Sequence, residues 1–175
     1  MTGGAALRAS GLVLAFALLQ VGIVSSLVVL GGAPDLLLVA VVSLGLLRGS
    51  VPGAAVGFGA GLLVDVLTLG TLGLTSLVLT LAGFWAGRYA ETTARSRRLS
   101  PLLAVGVITV LATVFAFLLH YLLGEAVVAQ HVLVGALLPS LAWNVLLALP
   151  VHAVVRAATG EPEAAELAQE VEVLV

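Results

Sequence analysis

Residues 34–88 read PDLLLVAVVSLGLLRGSVPGAAVGFGAGLLVDVLTLGTLGLTSLVLTLAGFWAGR. Almost every position is apolar, yet Asp35 and Asp65 lie within the stretch. Gly53, Gly57, Gly61 and Asp65 recur at every fourth position. Four residues advance about 400° on an α-helix, so these four positions form one stripe. Glycines on a stripe let a second backbone come close, which is how helices associate in lipid. The carboxylate that ends the stripe then faces protein or a cavity, because a charge in hydrocarbon costs on the order of 3 kcal/mol or more. The stretch reads as helices packed within a membrane.

The rest of the chain agrees. Of its 175 residues 61% are hydrophobic and 9% charged, and the mean hydropathy is +1.25. A soluble domain is nearer half apolar and a quarter charged. Cysteine and lysine are absent, which excludes disulfides, Fe–S clusters and thiol catalysis within this chain. Arg8 precedes an apolar run from Gly11 to Leu30. That run, about 20 residues, exceeds a secretory apolar core and no Ala-x-Ala site follows it, so it reads as a retained span.

Proline, glycine and charge then divide the chain into six helices, at about 10–30, 34–47, 52–68, 73–89, 101–123 and 132–155. Pro34 suits a first helical turn, and Pro139 and Pro150 are expected to kink the last helix. The second helix is short for a span, which predicts extension by its flanks or a thinned bilayer. Residues 1–158 are thus expected to form a six-span membrane bundle, and residues 159–175 an acidic cytoplasmic tail. Six spans place all seven arginines on one side, and short loops obey the positive-inside rule. Both termini are then expected in the cytoplasm, with Trp85 and Tyr89 in the inner aromatic belt and Tyr121 in the outer one. Glu91 falls to the basic loop between the fourth and fifth helices.

The polar residues supply the candidates. Asp35 follows Pro34 at a helix start, where a carboxylate is favoured by the dipole and free amides; it reads as a cap, or else as a partner contact or as a group with a role in a polar cavity. Asp65 lies near the end of its helix, where the dipole disfavours negative charge. A functional or partner-contact role is expected for it, with a protonated or hydrogen-bonded structural role as the alternative and Asn144 as a candidate donor. Asn144 itself suits a bond across helices. Arg95, Arg97 and Arg98 suit anionic lipid headgroups. His120, Glu125 and His131 gather near the outer side, but their spacing does not put them on one helical face, so no metal site is expected. No nucleophile–base pair or phosphate loop is present, so the chain reads as no enzyme and as needing no cofactor.

Three motifs in order carry a resemblance: Pro34-Asp35-Leu36-Leu37-Leu38, Gly57-x-x-x-Gly61-x-x-x-Asp65, and Gly70-x-x-Gly73. Together they resemble the rod shape-determining protein MreD family. The similarity covers at least Pro34 to Gly87 and extends to Asn144, Pro150 and Arg156. It implies a non-enzymatic scaffold of the bacterial cell-elongation machinery in the inner membrane. The implied partners are MreC through its transmembrane helix, RodA with its penicillin-binding transpeptidase, the MreB filament and membrane lipids, with no nucleic acid. It also implies a fold similar to the S components of energy-coupling-factor transporters. A vitamin-binding S component is therefore the alternative function. Ala5 and Ala9 have the spacing such proteins use for docking, but they precede the first span.

Overall fold

From Leu37 to Leu46 every residue is buried, and the other helices are arranged around that stretch. The computed structural model describes residues 3–22, 33–92, 100–124 and 137–160. Among them are six α-helices and no strand: α1 (Gly3–Gly22), α2 (Leu36–Arg48), α3 (Ser50–Thr68), α4 (Leu74–Thr92), α5 (Ser100–Leu122) and α6 (Leu137–Thr159). α2 touches all five of the others. A helix that is apolar on every face belongs inside a bundle. Its 13 residues extend only about 20 Å at 1.5 Å per residue. Its flanks do not extend it, because Asp35 caps its start and Gly49 ends it, and protein surrounds it on every face. Among the described residues three helices are long and apolar enough to cross a membrane, Ser50–Thr68, Pro101–Leu122 and Leu137–Thr159.

One residue separates α2 from α3. Gly49 turns the chain with φ 94°, in the left-handed region that glycine enters without penalty. The α3–α4 turn uses Leu69, at φ 53°, and Gly73, at φ 92°. Antiparallel neighbours follow, and among the described helices α3 against α4 is the most extensive contact.

The helix boundaries shift from expectation for local reasons. α2 begins at Leu36 because Asp35 caps it, its side chain accepting from the Leu38 amide; Pro34 stands before the cap instead of in the first turn. α3 begins at Ser50, two residues before Pro52. The proline is accommodated because the first amides of a helix have no internal partner. α4 runs to Thr92, so Glu91 belongs to a helix and not to the basic loop. α6 runs to Thr159 and contains Pro150 without being divided; Gly160 follows at φ 76°, a common helix ending. α1 is already helical at Gly3. The expected outer end of the first helix, the start of the sixth at 132–136, Arg95, Arg97, Arg98, Glu125, His131 and the tail from 161 onward lie outside the described residues.

Candidate functional site

Gly53, Gly57 and Gly61 all face α4, and the contact is backbone against backbone. A Cβ placed on Gly53 would lie 2.5 Å from the Gly83 carbonyl oxygen. One on Gly57 would overlap the Leu79 carbonyl, and one on Gly61 the backbone of Ser76. α4 answers with its own small residues: Gly83 abuts Gly53, and Gly87 abuts Ser50. Gly45 of α2 also faces the Gly83 carbonyl, so three helices meet at one glycine-lined crossing. Gly59, on the opposite face of α3, has nothing within 4 Å.

Asp65 ends this stripe and is buried, with 2% of its surface exposed. Its carboxylate accepts from the amides of Gly73 at 2.8 Å, Thr75 at 3.2 Å and Ser76 at 3.3 Å. These are first-turn amides of α4 and the residue before it, which no carbonyl within α4 can satisfy. The objection that a helix C-terminus disfavours a carboxylate is thereby overturned: Asp65 sits at the end of α3 but against the positive end of α4. Asn144 is not its donor, because α6 packs on α2 and α5. Ser76 adds a further tie, donating its hydroxyl to the Phe58 carbonyl at 2.9 Å.

The other end of the pair repeats the arrangement. Glu91, in the last turn of α4, accepts from the amide and the hydroxyl of Ser50, both at 2.8 Å. Arg88 pairs with the other carboxylate oxygen at 3.2 Å. The Ser50 amide, then its hydroxyl, and Arg88 hold the Glu91 carboxyl below the usual carboxylate range. Nearby, the Arg48 guanidinium donates to the Thr159 carbonyl, placing a cation at the negative ends of α2 and α6.

The start of α2 is held from three sides. Asn144, 1% exposed, accepts from the Asp35 amide at 2.8 Å and donates to the Thr109 hydroxyl at 3.3 Å. Gln20 of α1 accepts from the Leu36 amide at 2.9 Å and donates to the Pro34 carbonyl at 3.1 Å. Asp35 itself caps Leu38 at 2.9 Å. Beside this network lies a cavity of about 500 Å³ that includes Asp35, Thr109, Thr113, His120, Ser140 and Asn144 in its wall.

A family model, rod shape-determining protein MreD, matches residues 7–158. The chain belongs to the MreD family. No curated protein and no solved structure matches it. The MreD match runs from within α1 to the last turn of α6, so it reaches all six helices. This member of the MreD family is accordingly a protein of rod shape determination, and its long apolar helices make it a membrane protein.

Sequence reasoning on this MreD chain missed Gln20, Ser50, Glu91 and Thr109 as structural partners. Gln20 had a signal: it is an amide within an apolar run, and such a group must find a bond. Ser50 and Glu91 had none, because their pairing depends on where α3 and α4 end. His120 lines the cavity, whereas Glu125 and His131, its expected neighbours, lie outside the described residues. Among the described residues no three His, Asp or Glu side chains are placed to hold a metal ion.

Proposed function

We propose that this protein is a non-enzymatic scaffold of the cell-elongation machinery that receives the transmembrane helix of MreC. The observation that carries the reading is the MreD family match over residues 7–158. The geometry supports it. Three polar side chains in the bundle are engaged with helix ends, Asp65 with α4 and Asn144 and Gln20 with α2. The glycine stripe is spent on the α3–α4 contact, so MreC meets another surface. RodA with its penicillin-binding transpeptidase and the MreB filament are reached through the same assembly.

The bundle lies in the inner membrane with six spans and both termini in the cytoplasm. In support, hydrogen bonds bring the ends of α2 and α6, and the start of α3 and end of α4, to one end of the bundle. Arg48, Arg88 and Arg156 are at that end, as the positive-inside rule requires. The energy-coupling-factor S component remains the competing class, and it would need a coupling subunit. Tagged protein purified from cells expressing both candidate partners decides between them. Recovery of MreC supports the scaffold; recovery of a coupling subunit without MreC rejects it.

A further inference from the structure

The cavity beside the start of α2 is produced by the way α5 and α6 pack. α5 is buried at Pro101, Ala104, Val105, Ile108 and Thr109, and at no later residue. α6 has no buried residue before Asn144. The two helices are therefore held in the bundle through the halves nearest Arg48, and their other halves leave a space against α2 and α4. At about 500 Å³ that space is within the range of small-ligand pockets, about 300–1,000 Å³.

Its wall has two characters. Thr109, Thr113, His120, Ser140 and Asn144 supply hydroxyl, imidazole and amide groups, and Leu38, Val78, Ala112, Ala116 and Phe117 supply apolar surface. No arginine lines it. Its carboxylate, Asp35, is engaged with the Leu38 amide at the positive end of α2, so that charge is largely offset within the fold. An anionic ligand would meet Asp35 with no arginine or lysine in the wall to balance it. A cationic one would compete with a helix end. A neutral head rich in hydroxyls both donates and accepts, as the threonine, serine and asparagine groups do. We propose that this cavity binds an amphiphile with a neutral, polyhydroxylated headgroup, the head at Thr113 and Ser140 and the alkyl part along Phe117 and Ala116. The proposal is independent of the MreC reading.

The chain has no cysteine, so single cysteines report on the site. Ala116→Cys places a thiol in the cavity wall. Leu118→Cys, two residues on, places one on an exposed position outside it. Purified full-length protein in nanodiscs is labelled with N-ethylmaleimide, with octyl glucoside, octyl phosphate or octylammonium added. Octyl glucoside is expected to slow labelling severalfold at position 116 and not at 118, with the two charged amphiphiles protecting less. Thr113→Val, nearly isosteric, should reduce that protection. Equal protection by all three amphiphiles, equal effects at both positions, better protection by a charged one, or no protection by any overturns the proposal. So does octyl glucoside protection that Thr113→Val leaves unchanged.

Discussion

Asp65 and Glu91 occupy equivalent places at opposite ends of one antiparallel helix pair. Each lies in the last turn of its own helix and accepts hydrogen bonds from the first residues of the other. Between them the glycine stripe brings the two backbones into contact. Close backbone approach leaves no room for side chains to cap the helix starts locally. The carboxylates arrive from across the pair and tie α3 to α4 at both ends.

The carboxylate at position 65 is predicted to act through its two acceptor oxygens. Asp65→Asn keeps one oxygen, enough for the Gly73 and Ser76 amides, and turns an amino group toward Thr75. Asp65→Leu leaves all three amides without a partner, and each buried unsatisfied group costs about 1–3 kcal/mol. Thermal unfolding in a fixed detergent should rank wild type above Asn and Asn well above Leu. Equal melting of Leu and wild type would show that the α4 cap is dispensable, and complementation of an elongation-depletion strain at equal expression should follow the same order.

The stripe predicts opposite outcomes for glycines on one helix. Gly57→Ala and Gly61→Ala insert a methyl into the α4 backbone, and overpacking of this kind costs about 1–3 kcal/mol. Gly59→Ala meets nothing within 4 Å and replaces glycine by the best helix former, a gain of up to about 1 kcal/mol. Melting temperatures should therefore fall for the first two and hold or rise for the third. A uniform response across the three would mean that α3 and α4 are not in backbone contact.

How far these features were legible depends on the distance of the partner. The stripe was visible because its repeat is a property of one helix. That Asp65 would be stabilised was not, because its own helix end argued against a charge, and the amides that offset it begin eight residues later at Gly73. The Gly70-x-x-Gly73 turn marks where the chain reverses, and a carboxylate one turn before such a reversal is placed to cap the next helix. The Asp35–Asn144 bond joins residues 109 apart, and no local pattern announces it. α2 read as an awkwardly short span because burial on every face erases the periodicity that would have shown it to be central.

At the Arg48 end, stability should depend on pH through Glu91. Its carboxyl is held below its usual range in the folded protein. A carboxyl with a depressed folded value stabilises the fold above its unfolded value, about 4.3, and that contribution is lost as pH falls through the folded value. Melting measured from pH 7 down to pH 3 should decline less steeply in Glu91→Gln than in wild type. The Ser50→Ala variant, which removes the hydroxyl but not the amide, should give an intermediate slope. Parallel curves for all three would remove Glu91 from the account of α3 capping.

The arginines predict the orientation. Arg48 at the end of α2, Arg88 near the end of α4 and Arg156 in the last turn of α6 lie at one end of the bundle. Asp35, Asn144 and His120 lie at the other, around the cavity. Moving an arginine-bearing end across a membrane is resisted during insertion, so the Arg48 end should be cytoplasmic. Cysteines at Ser96 and Ala126 test this, because position 96 follows α4 in the chain and position 126 follows α5. An impermeant thiol reagent added to intact cells should label Ala126→Cys at once and Ser96→Cys only after permeabilisation. Labelling of both in intact cells would place α5 outside the membrane's alternation and break the six-span topology. The reverse pattern would invert the bundle and put the cavity on the cytoplasmic side. Because the two sites flank the same helix, one experiment reads both its crossing and its direction.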